Sequence, residues 1–591
     1  MSDDYAFSTF QTEEKPEDEV SRLTKIEREM GAYLDELLSY AKRLREPREV
    51  EWDLNVRAFR GEHTGPPSPA GFRQRKINII WRIVHQVTAQ ITDTRPKPDV
   101  IPRTPAAGDL ARQLRKLLEA IFYLQDLDRK VAKISDDIQL YGIAFHKVVY
   151  DPYSSWGTGD ISIVRVDPRH VYLDDAPSLE DMSFIVYRAP VPISRIRQMY
   201  PLRGHEVKAD VTISTEEVGK GIAFSPILPP EKRQFRGVPR AWLEEWWIRD
   251  PSLGPDGTLL YPNGRVIVRA GGVILADGPN PYKDQWPGPW VAYYGTPSET
   301  SPWPVPDVSQ YRPIQESIDM AARLLEEGAA QNVGGIWIAD PHTIPDHLLE
   351  NREYLFPRPG RVIIKGRPGG QLTRDPGMNV IQPLEEYIML LVRAMDSIAG
   401  LLDQPAQKVP GGGVTSAAAL EIMRSGSQAF IRRRAREIEA GLARLGQFVI
   451  NRILQFYTNR RVFEVLGPDD RLVPEEMDLL KQASFAEDYE ELFKTFRVQI
   501  IPGSSLALTK EREYAMYASL YSLGVIDRQA FLEFIELPRR EEILQRMAQA
   551  EAMLPQAVAR RGPAPRGRGA TITRTLLRQL AGETMGGRPG T

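Results

Sequence analysis

The sequence predicts an α+β chain that is mainly helical, and three observations carry that class. Helical apolar spacing dominates both ends of the chain. A period-two alternation rich in Val, Ile and Tyr occupies the stretch from "AFHKVVYDP" to "WVAYYG". Beyond it, two long amphipathic segments flank a short αβ insert, an order that neither an all-α nor a doubly wound chain would give. At 591 residues with 42% hydrophobic content, there is enough apolar material for several domain-sized cores.

The elements follow in order. Residues 1–19 are acidic and expected to be disordered. From Val20 to Arg60 the apolar positions recur at helical spacing until Gly61 stops them. "HTGPPSPAG" is a loop, "RKINIIWRIVHQVTAQITDTRP" a helix expected to run to Pro96, and "GDLARQLRKLLEAIFYLQDLDRKVAKISDDIQLYG" one or two helices. The alternating stretch then supplies strands, with "ISRIRQMYP" as a short helix and a Pro-rich, exposed insertion over 203–238. A β-meander follows, with a turn signal at Asn263-Gly264.

Pro313 is expected to open a helix, since a first-turn proline lacks only an N–H that has no helical partner. "GGIWIADP" and "GRVIIKG" are expected strands around the helical piece "IPDHLLENRE". A second helix opens near Pro383, with Leu384, Tyr387, Ile388, Leu391, Met395, Ile398 and Leu402 at i, i+3, i+4, i+7 spacing. "PGGGVTS" is a glycine loop, followed by a helix from about Thr415 to Tyr457 with Gly426 or Gly441 as expected kinks. A helical cluster and an Arg-, Gly- and Pro-rich tail close the chain.

Composition narrows the function. Cysteine is absent, so disulfides, thiolate metal sites and cysteine nucleophiles are excluded, which suits assembly in a reducing cytoplasm. A net charge of −3 gives no overall basic bias for gripping nucleic acid. No apolar run reaches the ~18–20 residues that span a bilayer, and the acidic start lacks a signal-peptide layout. The chain is therefore expected to be soluble and cytoplasmic when made. In "PGGGVTS" the lysine, Lys408, precedes the glycines and the preceding element is a helix, so a nucleotide-binding P-loop is not expected. Gly411–Gly413 instead loosen the backbone, with Thr415 or Ser416 capping the next helix. His342 and His347 lie five apart, which is not helical metal spacing, and no third ligand is near. No GxSxG, HExxH or GxGxxG stands in a fitting context. No enzyme activity and no cofactor is expected. In "AFIRRRARE", Arg432, Arg433, Arg434 and Arg436 read as a solvated face or a subunit contact, with phosphate contact as the lesser alternative.

Taken in order, "EWDLNVRAFRGEH", "RQRKINIIWRIVHQVTAQITDTRPKPDVIP", "LYGIAFHKVVYDP", "VDPRHVYLDD", "DVSQYRPIQESIDMAARLLEE", "GGGVTSAAALEIMRSGSQAFIRRRAREIEAGLARL" and "VQIIPGSSLA" resemble the portal proteins of tailed double-stranded-DNA bacteriophages. The resemblance covers about residues 50–550 and implies a ring, usually of twelve subunits, at one capsid vertex. Double-stranded viral DNA would be packaged and ejected through it. It implies a wing over 20–306, stem helices over 307–332 and 381–403 with the apolar stripe as stem packing, and a clip over 333–380. It also implies a channel loop over 404–414, a bridging helix and return over 415–504, a crown over 505–555 and a basic tail over 556–591. The channel loop would present Lys408, Gly411, Gly412 and Gly413, with Thr415 just beyond. The clip would present Arg358, Arg361, Lys365, Arg367 and Arg374 to the terminase large subunit and later to head–tail adaptor or tail proteins. Major capsid and scaffolding proteins are the other implied partners, and the virion the implied location, reached from the host cytoplasm. A head–tail adaptor or a nucleotide-dependent packaging ATPase are the alternatives.

Overall fold

A computed structural model of the chain describes residues 17–62, 77–92, 96–154, 159–210, 238–283, 286–298, 301–334, 336–339, 372–375, 381–401, 429–457, 461–466, 472–477, 489–501 and 516–526. The chain forms two units, one of Met1–Leu466 with Leu472–Lys510 and one of Gly467–Arg471 with Glu511–Thr591. In the second unit the described part is a short helix over 516–522 and the turn after it.

In the first unit, α1 (Glu17–Phe59) is followed by α2 (Ile79–Ile91), β1 (Pro98–Pro102), α3 (Gly108–Leu124) and α4 (Leu127–Tyr141). Helix α1 stops as expected: Gly61 adopts φ +74, and the N–H groups of Gly61 and Glu62 bond back to the carbonyls of Ala58 and Arg57. It begins earlier than expected, at Glu17, and continues through Pro47. Helix α2 stops at Ile91, well before Pro96, and Asn78 caps its start by accepting from the Trp81 N–H at 2.9 Å. The pair α3 and α4 is divided at Asp126, which takes up a left-handed φ of 54. Gly142, with φ +82, ends α4 and leads into the sheet.

Two antiparallel sheets carry the middle of the chain. One has the order β3-β2-β9, from Asp160–Val166, Ile143–Asp151 and Trp290–Tyr294. The other is a meander, β4-β5-β6-β7-β8, from Val171–Leu173, Phe184–Pro192, Arg240–Ile248, Arg265–Ala270 and Val273–Pro279. The tight hairpin of this meander is made by Gly271-Gly272, both at positive φ. Gly264 of the expected Asn-Gly turn also takes a positive φ, but it ends the long connection into β7 instead of joining two strands directly. Helix α1 covers one face of the meander, where Leu34, Leu38 and Ala41 pack with Phe184, Val186, Trp246 and Ile267. The short helix α5 (Ile193–Met199) covers the other, with Ile193, Ile196 and Val207 against Ala241, Leu243 and Val268. Val207 is therefore core, so the 203–238 stretch does not start as an exposed insertion; 211–237 lies outside the described residues. A buried ion pair crosses the α1 side: Arg269 donates to Glu244 at 2.6 Å and to Asp35 of α1 at 2.6 Å.

The motif "VDPRHVYLDD" has a structural explanation. Asp167 accepts from the Arg169 N–H and caps a 3₁₀ turn. Arg165 forks onto the buried Asp137 of α4 with both bonds at 2.6 Å. Arg45 of α1 donates to the carbonyls of Arg169 and Val171. Arg45 thus ties the loop to α1, and Arg165, at the end of β3 just before it, is tied to α4.

After the sheets come α6 (Val308–Gly334), β10 (Ile336–Ala339), β11 (Leu372–Asp375), α7 (Ile381–Ala399) and α8 (Ala429–Phe456). The strands β12 (Arg461–Leu466) and β13 (Leu472–Met477) form a hairpin. Helix α9 (Tyr489–Thr495) leads into β14 (Phe496–Ile500), which returns to pair antiparallel with β1, Pro98 opposite Ile500. The chain's late segment is thereby fastened beside its early helices. The main core lies among α2, α3, α4, α8 and the β3-β2-β9 sheet. Helix α8 comes close to that sheet because of a glycine. A Cβ on Gly441 would lie 2.4 Å from the Tyr293 ring, and one on Gly446 would lie 2.7 Å from Val498. Gly441 is a packing position within a continuous helix; Gly426 lies outside the described residues.

Candidate assembly site: the paired helices and their root

Helices α6 and α7 pack against each other, and their direction follows from their ends. Gln315, in the second turn of α6, and Asp396, in the last turn of α7, both bond the start of α2, through Ile77 to Ile80 and through Arg82. At the other ends, β10 follows α6 by one residue and pairs antiparallel with β11, which precedes α7. The two helices are therefore antiparallel, with the β10–β11 pair far from α2. Their 27 and 19 residues correspond to about 40 and 28 Å at ~1.5 Å per residue.

Their boundaries differ from the sequence reading. Helix α6 begins at Val308, with Pro313 inside it. Buried contacts around its first turns hold the helix through the loss of one N–H. Helix α7 ends at Ala399, not near Asp403. Gly400 adopts φ +72, its N–H bonds to the Ser397 carbonyl, and the Leu401 N–H bonds to the Asp396 carbonyl. A glycine that can enter the left-handed region ends the helix where apolar periodicity alone would carry it on.

The root of α6 is polar and buried. Asp307, just before the helix, receives both Nη atoms of Arg434 from α8, one of them at 2.7 Å. Burial works against the Arg434 charge, but the Asp307 carboxylate outweighs it and holds the guanidinium above its ordinary value. Asn55 of α1 donates to the Ser309 hydroxyl at 3.0 Å and to the Leu140 carbonyl at 3.1 Å, and accepts from Arg312 at 3.3 Å. Gln315 donates to the Ile77 carbonyl at 2.7 Å and accepts from the Ile79 N–H at 3.0 Å. Side chains from α1 and α8 and backbone groups at the start of α2 thus meet at the first turns of one helix.

Away from the root the character reverses. Helix α7, "IQPLEEYIMLLVRAMDSIA", is amphipathic, with Gln382, Glu385, Glu386, Arg393, Asp396 and Ser397 gathered on one side and a wide apolar face on the other. Within its expected stripe, Met395 is buried and Leu384, Ile388 and Leu391 are half-buried, but Tyr387 and Ile398 are exposed; Leu402 lies outside the described residues. Leu390 is 62% exposed and Met389 55%, and on α6 Met320 is 53% exposed, with Leu324 on the same stripe.

The remaining sequence-predicted residues divide as follows. Lys408, Gly411, Gly412, Gly413 and Thr415 lie outside the described residues, as do Arg358, Arg361, Lys365 and Arg367. Arg374 stands in β11 opposite Trp337. Of the arginine run, Arg433 and Arg436 are exposed, but Arg434 is the buried partner of Asp307, neither solvated nor free for phosphate. Sequence reasoning missed Asp307, Asn55 and Gln315. An Asp directly before a helix was the one available signal; an Asn or Gln inside a helix announces nothing. Among the described residues no group of His, Asp and Glu could hold a metal ion, and no helix is long and apolar enough to cross a membrane.

Residues 52–271 match the family model described as Phage P22-like portal protein. Over these residues the chain is similar to P22-like phage portal proteins. The match starts at Trp52 in α1 and ends at the β7–β8 turn, so it takes in α2 to α5 and both sheets except for their strands β9 and β8. A comparison with curated proteins returned no match. The paired helices beyond Gly271 are argued from their own geometry. The match supports a structural role for the chain in a phage particle.

Proposed function

We propose that the chain is the subunit of a ring-shaped portal at one capsid vertex, through which double-stranded viral DNA is packaged and ejected. The observation that carries this reading is α7. A wide apolar helix face belongs in an interior, yet in a single copy Tyr387, Leu390 and Ile398 of α7 face solvent. Neighbouring copies around a closed ring would cover that face without leaving an open end. The antiparallel pair α6–α7 would be the stem, the β10–β11 end the clip, and Gln404 to Val414 the channel loop. Weak net charge suits a conduit, because each neutralised phosphate adds affinity through counterion release and would hold DNA in place. The clip would dock the terminase large subunit during packaging and adaptor or tail proteins afterwards; capsid and scaffolding proteins would surround the ring. The chain would have no catalysis of its own.

Negative-stain imaging and sedimentation of the purified protein test the reading. Rings with an axial channel are expected. A stable monomer at micromolar concentration, with no ring on imaging, would refute it. For the clip, Arg361→Glu with Lys365→Glu should impair terminase docking, and unchanged docking would remove that assignment.

A further inference from the structure

The first turns of α6 place Val308, Tyr311 and Ile318 in the apolar core and add to that packing a set of buried polar contacts. We propose that Asp307, Arg434, Asn55 and Gln315 form a collar that sets the angle of the α6–α7 pair on the body of the subunit, and that this angle selects how many copies close a ring. The inference rests on the ring reading and goes beyond it, by assigning the residues that determine subunit number.

The physical argument has three steps. First, buried polar groups stabilise little net, since their pairing mostly offsets their desolvation; what they supply is a unique geometry. Apolar side chains slide past one another at little cost, whereas a hydrogen bond weakens steeply outside a few tenths of an ångström and beyond moderate misalignment. Second, the collar reaches the helix from three directions. Asp307 is held from α8, Ser309 and Arg312 from α1, and Gln315 from α2. Three separate anchors over two turns fix both tilt and rotation, which one anchor could not. Gln315 is 1% exposed and Asn55 fully buried, so water cannot replace these bonds when they are strained. Third, the tolerance is of the right size. Closed rings of twelve and thirteen copies turn by about 30° and about 28° per subunit. A change of about 2° displaces the far end of a helix about 40 Å long by about 1.5 Å. A root held by hydrogen bonds resists that shift, and a root held by apolar contact would accept it.

The test separates angle from stability. In Asp307→Leu/Arg434→Met both charges are replaced together, which leaves no unpaired buried charge and keeps the subunit folded. Gln315→Met is a second variant, removing the contacts to the start of α2 together with the bond from Gln315 to Asp319 within α6. Ring size is counted by native mass spectrometry and by classification of end-on images, and folding is checked by circular dichroism. The parent is expected to give one dominant ring size. Both variants are expected to fold and form rings, but to spread over two or more adjacent sizes or to shift by one copy. Met320→Lys, on the exposed face and away from the collar, should weaken association without changing the size of the rings that form. Folded variants with the parent's single ring size would overturn the collar while leaving the ring reading intact. A parent that forms no ring would overturn both. If the double variant fails to fold, Gln315→Met with an unchanged ring size is sufficient to reject the proposal.

Discussion

Replacing Gly441 by alanine should destabilise the subunit, although alanine is the better helix former. In an open helix interior the exchange favours alanine by about 1 kcal/mol. Here the added methyl would lie 2.4 Å from both Cδ1 and Cε1 of Tyr293, a distance real Cβ contacts do not show. The ring has nowhere to go. Tyr293 is buried on β9, and its hydroxyl is bonded to His146 Nδ1 at 2.9 Å. Swinging the ring aside would strand that hydroxyl, at a cost of about 1–3 kcal/mol; moving α8 would open its contacts with the sheet, at a similar cost of about 1–3 kcal/mol for overpacking. The clash cancels or outweighs the propensity gain, and a net loss of up to about 2 kcal/mol follows. Gly31, in α1, is the internal control, since a Cβ there meets nothing within 4 Å. Gly31→Ala should stabilise by up to about 1 kcal/mol. Urea unfolding followed by tryptophan fluorescence and helical circular dichroism measures both. If Gly441→Ala stabilised the protein as Gly31→Ala does, α8 would not lie on Tyr293, and the packing of α8 on the β3-β2-β9 sheet would have to be abandoned.

Other outcomes are open to measurement. Burial lowers the pKa of His146 to about 3, against about 6.5 in the unfolded chain. The unfolded state then binds more protons, so the stability held above about pH 6.5 is lost as the pH falls toward 3, by up to about 1.4 kcal/mol per pH unit. His146→Phe should flatten that slope, and an unchanged slope would mean the imidazole is not buried. Removing Arg165 leaves the buried Asp137 without its forked partner. Arg165→Met should cost about 3–5 kcal/mol, and adding Asp137→Leu should restore much of it. On the exposed face of α7, Leu390→Glu should leave unfolding curves near those of the parent, because the side chain contributes little burial in one copy. It should also abolish assembly in sedimentation; intact rings would remove α7 from the subunit contact.

Much of the molecule was legible in the chain because it depends on local rules. The α+β class, the stop at Gly61, the strands from "AFHKVVYDP" to "WVAYYG", the short helix at Ile193 and the paired helices with an insert between them follow from periodicity and turn chemistry, which act over a few residues. The antiparallel course of α6 and α7 was also foreseeable, since a short insert between two long helices leaves few alternatives. The resemblance to portal proteins lay in the order of segments, none of which is distinctive alone.

Tertiary structure decided what depends on partners far apart in sequence. No local rule separates Arg434 from Arg432, Arg433 and Arg436; only Asp307, 127 residues earlier, makes it a buried strut. Gly441 looked like a kink because a glycine in a helix is locally a weakness, and it became a contact because Tyr293 happens to lie beneath it. Val207 looked exposed in a Pro-rich stretch until β6 and β7 supplied the surface that buries it. Local sequence sets which backbone conformations are cheap, and so determines the elements; burial and pairing are properties of surfaces that exist only once distant elements have met, and these determine which of the same residues become core, strut or open face.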